Sequence, residues 1–281
     1  MYKNIELITD ALCIVGEGPV FDEKNNRLLM LDIQGKRLRS IDWSTLKVTD
    51  TVLPQQIGFL FFDEQDTLYG AAEDGIYKIL NGSLVPFSKP CEIKGMRFND
   101  GKVGPDGCLY GGTFSRDNSA AFYKMGADGR LTELFDKVGN SNGLAFSPDE
   151  KHFYYNDTPT GRTDVFSFED GILSDRRPLI TYSGGKPDGM TIDADGNLWT
   201  ALWGGGTAVK VNTKTGEVME KIELPVSQVA CCAFAGKDLK TLVITTAAHG
   251  VSLRDEPLAG ATFAVNLDVG GIKDYKFKLE R

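Results

Sequence analysis

"PDGMTIDADGNLWTAL", residues 187–202, sets a short apolar run, a turn and a second apolar run side by side. Apolar, β-branched and aromatic side chains flank the Asp-Ala-Asp-Gly-Asn segment, the signature of two strands joined by a hairpin. The arrangement recurs along the chain. Turn signals stand at "DEKNN" 22–26, "DEQD" 63–66, "GPDG" 104–107, "SPDEK" 147–151, "DADGN" 193–197 and "AGKD" 235–238. Runs such as "RLLMLDI" and "TLVITTA" accompany them, and helical patterning is nearly absent.

Aligned on these turns, "GEGPVFDE", "QIGFLFFDE", "FNDGKVGP", "SNGLAFSP", "PDGMTIDA" and "VACCAFAG" share one recurring position. It is occupied by Glu17, Gly58, Asn99, Asn142, Asp188 and Ala230, with gaps of 41, 41, 43, 46 and 42 residues. Units of this length, each with several short strands, predict an all-β, six-bladed β-propeller of four-stranded antiparallel blades. Two packed sheets would also use short strands and hairpins. They would not require one position to recur so regularly. No linker or low-complexity segment interrupts the pattern, so the reading is a single propeller domain over residues 1–281.

Composition bounds the function. With 41% hydrophobic and 25% charged residues the chain can bury a large core. A net charge of -8 and a pI near 5.0 leave no basic stripe for nucleic acid or an anionic membrane. The start "MYKNIELITDALC" carries Lys3, Glu6 and Asp10 where a secretion signal needs an apolar run. No stretch approaches the ~20 apolar residues of a membrane helix. Five cysteines without framework spacing read as a reduced, cytoplasmic protein. Only His152 and His249 are available, so an imidazole-rich zinc site is excluded. Chemistry is left to carboxylates, amides or a metal held by oxygen.

In a propeller the innermost strands line one channel, so a position shared by all units becomes a ring of side chains. Four of its members are Glu17, Asn99, Asn142 and Asp188, a hard-oxygen set of the kind that Ca²⁺ or Mg²⁺ prefers. A water-filled channel would also be polar. Two carboxylates brought together without a cation, however, cost several kcal/mol. Arg97, two residues before Asn99 in "RFNDG", falls beside it on the same strand face.

The stretches "GEGPVFDEKNNRLLMLDIQGKRLRSID", "RFNDGKVGPDGCLYGGTF", "SNGLAFSPDEKHFYYNDT" and "PDGMTIDADGNLWTAL" resemble, in order, the signatures of the SMP-30/gluconolactonase family of regucalcin-like sugar lactonases. The resemblance runs from about residue 14 to the C-terminus. It implies a six-bladed propeller with one divalent metal ion in the channel: Ca²⁺ first, with Zn²⁺, Mg²⁺ or Mn²⁺ as alternatives. It implies Glu17, Asn142 and Asp188 as metal ligands, with Asp188 also the general base. Arg97, Asn99 and Asp117 would contact the substrate, a small sugar lactone. The loop "SRDNSA" around Asp117 departs from the family pattern.

A metal-dependent phosphotriesterase and a non-catalytic calcium-binding propeller remain as alternative functions. "GNSNG" at 139–143 matches a nucleophile elbow, with Ser141, Asp188 and His249 in hydrolase order. That motif needs a strand turning into a helix, and a Pro-Asp turn between two strands follows instead. "DADGNLW" lacks the closing Glu of a calcium loop, since Gly204 stands in its place. "WGGGT" reads as a turn, His152 and His249 as solvated, and Asp157 as a strand-end cap.

Overall fold

The computed structural model describes residues 5–88 and 93–280; Lys3 and Cys91 lie outside them. Six four-stranded antiparallel sheets form a β-propeller, as the repeat predicts. The innermost strands are Gly16–Asp22, Ile57–Phe62, Arg97–Val103, Ser141–Phe146, Lys186–Ile192 and Val229–Ala235. Five blades are continuous in sequence. The sixth takes its outermost strand, Glu6–Thr9, from the start of the chain, paired antiparallel to Thr262–Asn266. That pairing closes the ring. Among the described residues the only helical element is the 3₁₀ turn Thr158–Thr160.

The strand patterns follow from blade packing. Inner strands are covered by neighbouring blades on both faces, so Arg27–Asp32 is almost wholly buried and reads as a continuous apolar run. The outer strand Val48–Val52 has no buried residue. A separate apolar cluster fills each of the six blade junctions. Phe59, Phe61 and Tyr69 meet Phe98 and Val103 at one of them, and Tyr110 and Phe122 meet Phe146, Phe153 and Tyr155 at the next. Each such large side chain contributes about 1.5–3 kcal/mol by burial.

The six predicted turns share one geometry. An N–H bonds back three residues in each, and the donor is left-handed: Asn26, Asp66, Gly107, Glu150, Gly196 and Leu239. These hairpins lie at one end of the channel. Antiparallel alternation puts the recurring position at the other end, the mouth.

The last residues form a strap across the turn face. Gly270 O accepts from Ala194 N of the fifth blade and Gly271 N donates to Leu239 O of the sixth, both at 2.8 Å. Lys273 pairs with Glu23 of the first blade and Asp274 with Lys102 of the third, both at 2.9 Å. Tyr275 donates to Glu150 of the fourth and Phe277 N to Phe62 O of the second. The strap therefore touches all six blades and floors the channel. Phe277 is fully buried against Phe61 and Phe87. Phe277→Ala is expected to lower unfolding free energy by about 3 kcal/mol in a denaturant titration. An unchanged midpoint would show that the strap merely rests on the ring.

Candidate functional site

Every inner strand is irregular at its recurring position. Ladder register breaks between Glu17 and Val20, Ile57 and Phe59, Phe98 and Asp100, Ser141 and Leu144, Pro187 and Met190, and Val229 and Cys231. A bulge frees residues from the ladder and re-aims their side chains, here toward the axis. The glycines that follow serve close approach of one inner strand to the next. A Cβ on Gly143 would stand 2.5 Å from Asp188 O, and one on Gly189 2.3 Å from Cys231 Sγ.

Glu17, Asn142 and Asp188 are drawn together. All three are buried, Asn142 hydrogen-bonds Asp188, and Glu17 and Asp188 act electrostatically on each other. Burial first, and then Asp100, pushes the Glu17 carboxyl up to about 8, although it accepts a hydrogen bond from Gly18 N. Burial, then Glu17 and Asp100, holds the Asp188 carboxyl well above the usual carboxylate range. Both shifts mark negative charge crowded in a dry place with too little cation nearby.

The two asparagines differ. Asn99 spends both ends of its amide: Nδ2 donates to Ser141 O at 2.7 Å and Oδ1 accepts from Arg97 Nη1 at 2.6 Å. Asn142 Nδ2 donates to Thr158 Oγ1 at 2.9 Å, and its Oδ1 is buried without a partner. Such an orphan oxygen is costly to bury. Among the described residues no three His, Cys, Asp or Glu side chains are gathered to hold a metal by themselves. An ion shared by Glu17 and Asp188 therefore needs an amide oxygen, and Asn142 has one to offer. The residues fit an oxygen-liganded divalent cation.

Arg97 lies beside this set. Its guanidinium sits 5.5 Å from the Phe114 ring, is held by Asn99 and Phe98 O, and is lowered to about 10 by burial. Asp117 is not brought to the group. It is exposed on the loop after Leu109–Phe114, and its carboxylate accepts from Ser119 Oγ and N, an arrangement that serves the loop itself.

Asp100 is the residue that the pattern did not single out. Strand alternation turns it away from Asn99, yet the bulge between Phe98 and Asp100 lets both face the channel. Burial raises its carboxyl to about 6. With Lys102 and Cys231 it lines a cavity of about 340 Å³ that extends to the strap residues Lys273, Asp274, Tyr275 and Lys276. Its only signal in the sequence was its place in the polar cluster of "RFNDG".

The serine-triad match has no geometry behind it. Ser141 is buried at the start of a strand, and His249 is exposed with Nδ1 3.1 Å from Gln34 Oε1. Asp157 caps its loop, accepting from Gly139 N and Asn140 N.

A six-bladed propeller with a carboxylate–amide set on its axis defines a class of channel-centred proteins. Residues 15–248 match the model of the SMP-30/Gluconolactonase/LRE-like region, and the chain belongs to that family. It is 35% identical over 284 residues to YvrE of Bacillus subtilis, whose name gives sugar lactone lactonase as a provisional activity. That match covers 96% of this chain and 97% of the relative. Regucalcin of Danio rerio is also 35% identical, covering 98% of both chains. The solved structure of a calcium-binding regucalcin from Agrobacterium tumefaciens superposes with a TM-score of 0.91 at 26% identity, covering 97% of each chain.

Proposed function

We propose that this chain is a divalent-metal-dependent hydrolase that opens a sugar lactone to its sugar acid. The observation that carries the reading is the orphan Asn142 Oδ1 beside the crowded Glu17 and Asp188 carboxylates. The relative named for sugar lactone lactonase activity supports the reaction class.

Glu17, Asn142 and Asp188 would hold the ion, which supplies Lewis acidity toward the lactone carbonyl. An all-oxygen donor set favours Ca²⁺ and accommodates Mg²⁺, Mn²⁺ or Zn²⁺ less selectively. Asp188 takes the proton of the attacking water as its oxygen bonds to the carbonyl carbon. The acyl–oxygen bond then breaks, and the leaving ring oxygen takes the proton from Asp188 to become the new hydroxyl. Ion binding keeps Asp188 ionised at neutral pH, against the pull of its burial. Arg97, fixed by Asn99 and Phe114, orients substrate oxygens from a position set before binding. The four described cysteines are unpaired, the basis for placing the chain in the cytoplasm.

The Agrobacterium structure, described as a calcium-binding protein, favours a second reading in which the ion is bound and nothing is turned over. A pH-indicator assay with aldonolactones separates the two. Chelation is expected to abolish hydrolysis while circular dichroism stays unchanged, and added divalent ion restores the rate. Ca²⁺ binding with no lactone opened under any of the four ions would establish the second reading.

A further inference from the structure

The repeat that builds the axial set also builds a second ring, one alternation nearer the mouth. Two residues before each recurring position stand Val15, Gln56, Arg97, Asn140, Lys186 and Gln228. Exposure has the same rhythm in every blade: this residue is partly or fully exposed, and the next is buried. The ring holds three primary amides, two cations and one valine, and no carboxylate. Amides recognise hydroxyls, and an unbalanced cation attracts negative charge.

The two cations are not equivalent. Arg97 is engaged by Asn99 and Phe98 O, and the Glu17 and then the Glu73 carboxylates act on its charge. Lys186 is exposed and makes no ion pair or hydrogen bond among the described residues. On the opposite face, by contrast, Lys24, Lys102, Lys273 and Lys276 are all paired with carboxylates. Lys186 lies directly across the inner hairpin from Trp203, and Trp203 bridges in turn to Gln228. Side chains directly opposite on antiparallel strands share a face. A cation, an indole and an amide therefore stand in a row where the fifth and sixth blades meet. The Gln228 amide oxygen is buried without a partner. Glu256, a carboxylate beside Gln228, is held by Ser227 N and Oγ.

We propose that Lys186, Trp203 and Gln228 form a rim subsite that selects lactones bearing a negatively charged substituent, carboxylate or phosphate, away from the ring carbonyl. The inference rests on the lactonase reading and names its substrate class. The ammonium takes the anion, Trp203 offers an apolar face to the sugar C–H groups, and Gln228 takes a hydroxyl.

The test uses three lactones of one sugar: neutral, oxidised to a carboxylate at the far carbon, and phosphorylated there. The full-length protein is expected to show a kcat/KM about tenfold higher for at least one anionic lactone than for the neutral one. Which of the two benefits identifies the anion. Lys186→Ala should remove that preference through KM and leave the neutral lactone and the melting temperature unchanged, while Lys186→Glu should invert it. Calorimetric binding of the product acids gives a readout free of turnover, with about tenfold weaker binding of the dianion alone in Lys186→Ala. Equal loss for neutral and anionic ligands, or no loss, overturns the subsite. Lys186-dependent dianion binding without hydrolysis of any lactone sinks the lactonase reading and leaves the subsite standing.

Discussion

Asp188→Ala is expected to lower lactone hydrolysis by about a thousandfold while the propeller stays folded. Two losses combine in that figure. The attacking water loses its proton acceptor, an effect worth about 10²–10⁴-fold, and the ion loses one of its two charged donors. Stability should not fall with activity, because the Asp188 side chain is held in a crowd that burial and Glu17 make unfavourable. In the absence of divalent ions the melting temperature of Asp188→Ala should match or exceed that of the parent. A variant that hydrolyses lactones at the parent rate would remove Asp188 from the mechanism. A variant that unfolds would show the carboxylate to be a structural partner.

The second large effect concerns the metal-free protein, which is expected to lose stability as pH rises from about 4.5 to about 8. In the unfolded chain the Glu17 carboxyl ionises near its ordinary value of 4.5, whereas in the fold it keeps its proton to about 8. Across that window the folded state binds more protons, so raising the pH favours unfolding. Below the window Glu17 is protonated in both states and above it ionised in both, so its own contribution flattens at each end. At about 1.36 kcal/mol per unit the difference for Glu17 reaches about 5 kcal/mol. Asp188 and Asp100 shift in the same direction, and because Asp100 acts on both Glu17 and Asp188 and Glu17 acts on Asp188, the loss belongs to the three carboxyls together. A saturating divalent ion should cancel most of this loss, because it supplies the missing positive charge. Denaturant titrations in EDTA at pH 5 and pH 8, repeated with Ca²⁺, read the effect. Stability that holds or rises between those values without metal would show that the carboxylates are not crowded in solution.

The architecture was legible because its punctuation is local. Asn26, Asp66, Gly107 and Gly196 are residue types that tolerate a left-handed backbone, and they mark four of the six hairpins. The ring of Glu17, Asn142 and Asp188 was legible because a propeller converts a fixed period into a shared axis. What the sequence did not disclose depends on partners far away along the chain. Glu6–Thr9 completes a sheet with Thr262–Asn266, and no local pattern announces a pairing across the whole length. The strap alternates Tyr275, Phe277 and Leu279 with charged residues as a strand would, yet it joins no sheet, and its contacts are dispersed over all six blades. Asp100 stayed hidden because alternation assigns it to the wrong face until the bulge is seen. Asn99 and Asn142 looked alike as members of one ring. Only their hydrogen bonds show that Asn99 holds Arg97 while Asn142 keeps its oxygen free.

Calorimetric titration of the metal-free protein with Ca²⁺, beside Asn142→Ala, tests the shared-ion claim most directly. The Asn142 side chain carries no charge, so its loss keeps both carboxylates and removes the third oxygen, together with the hydrogen bonds to Asp188 and Thr158. The predicted result is one ion bound per parent chain and binding weakened at least tenfold in the variant. Undiminished binding by Asn142→Ala, or no binding by the parent, would contradict it.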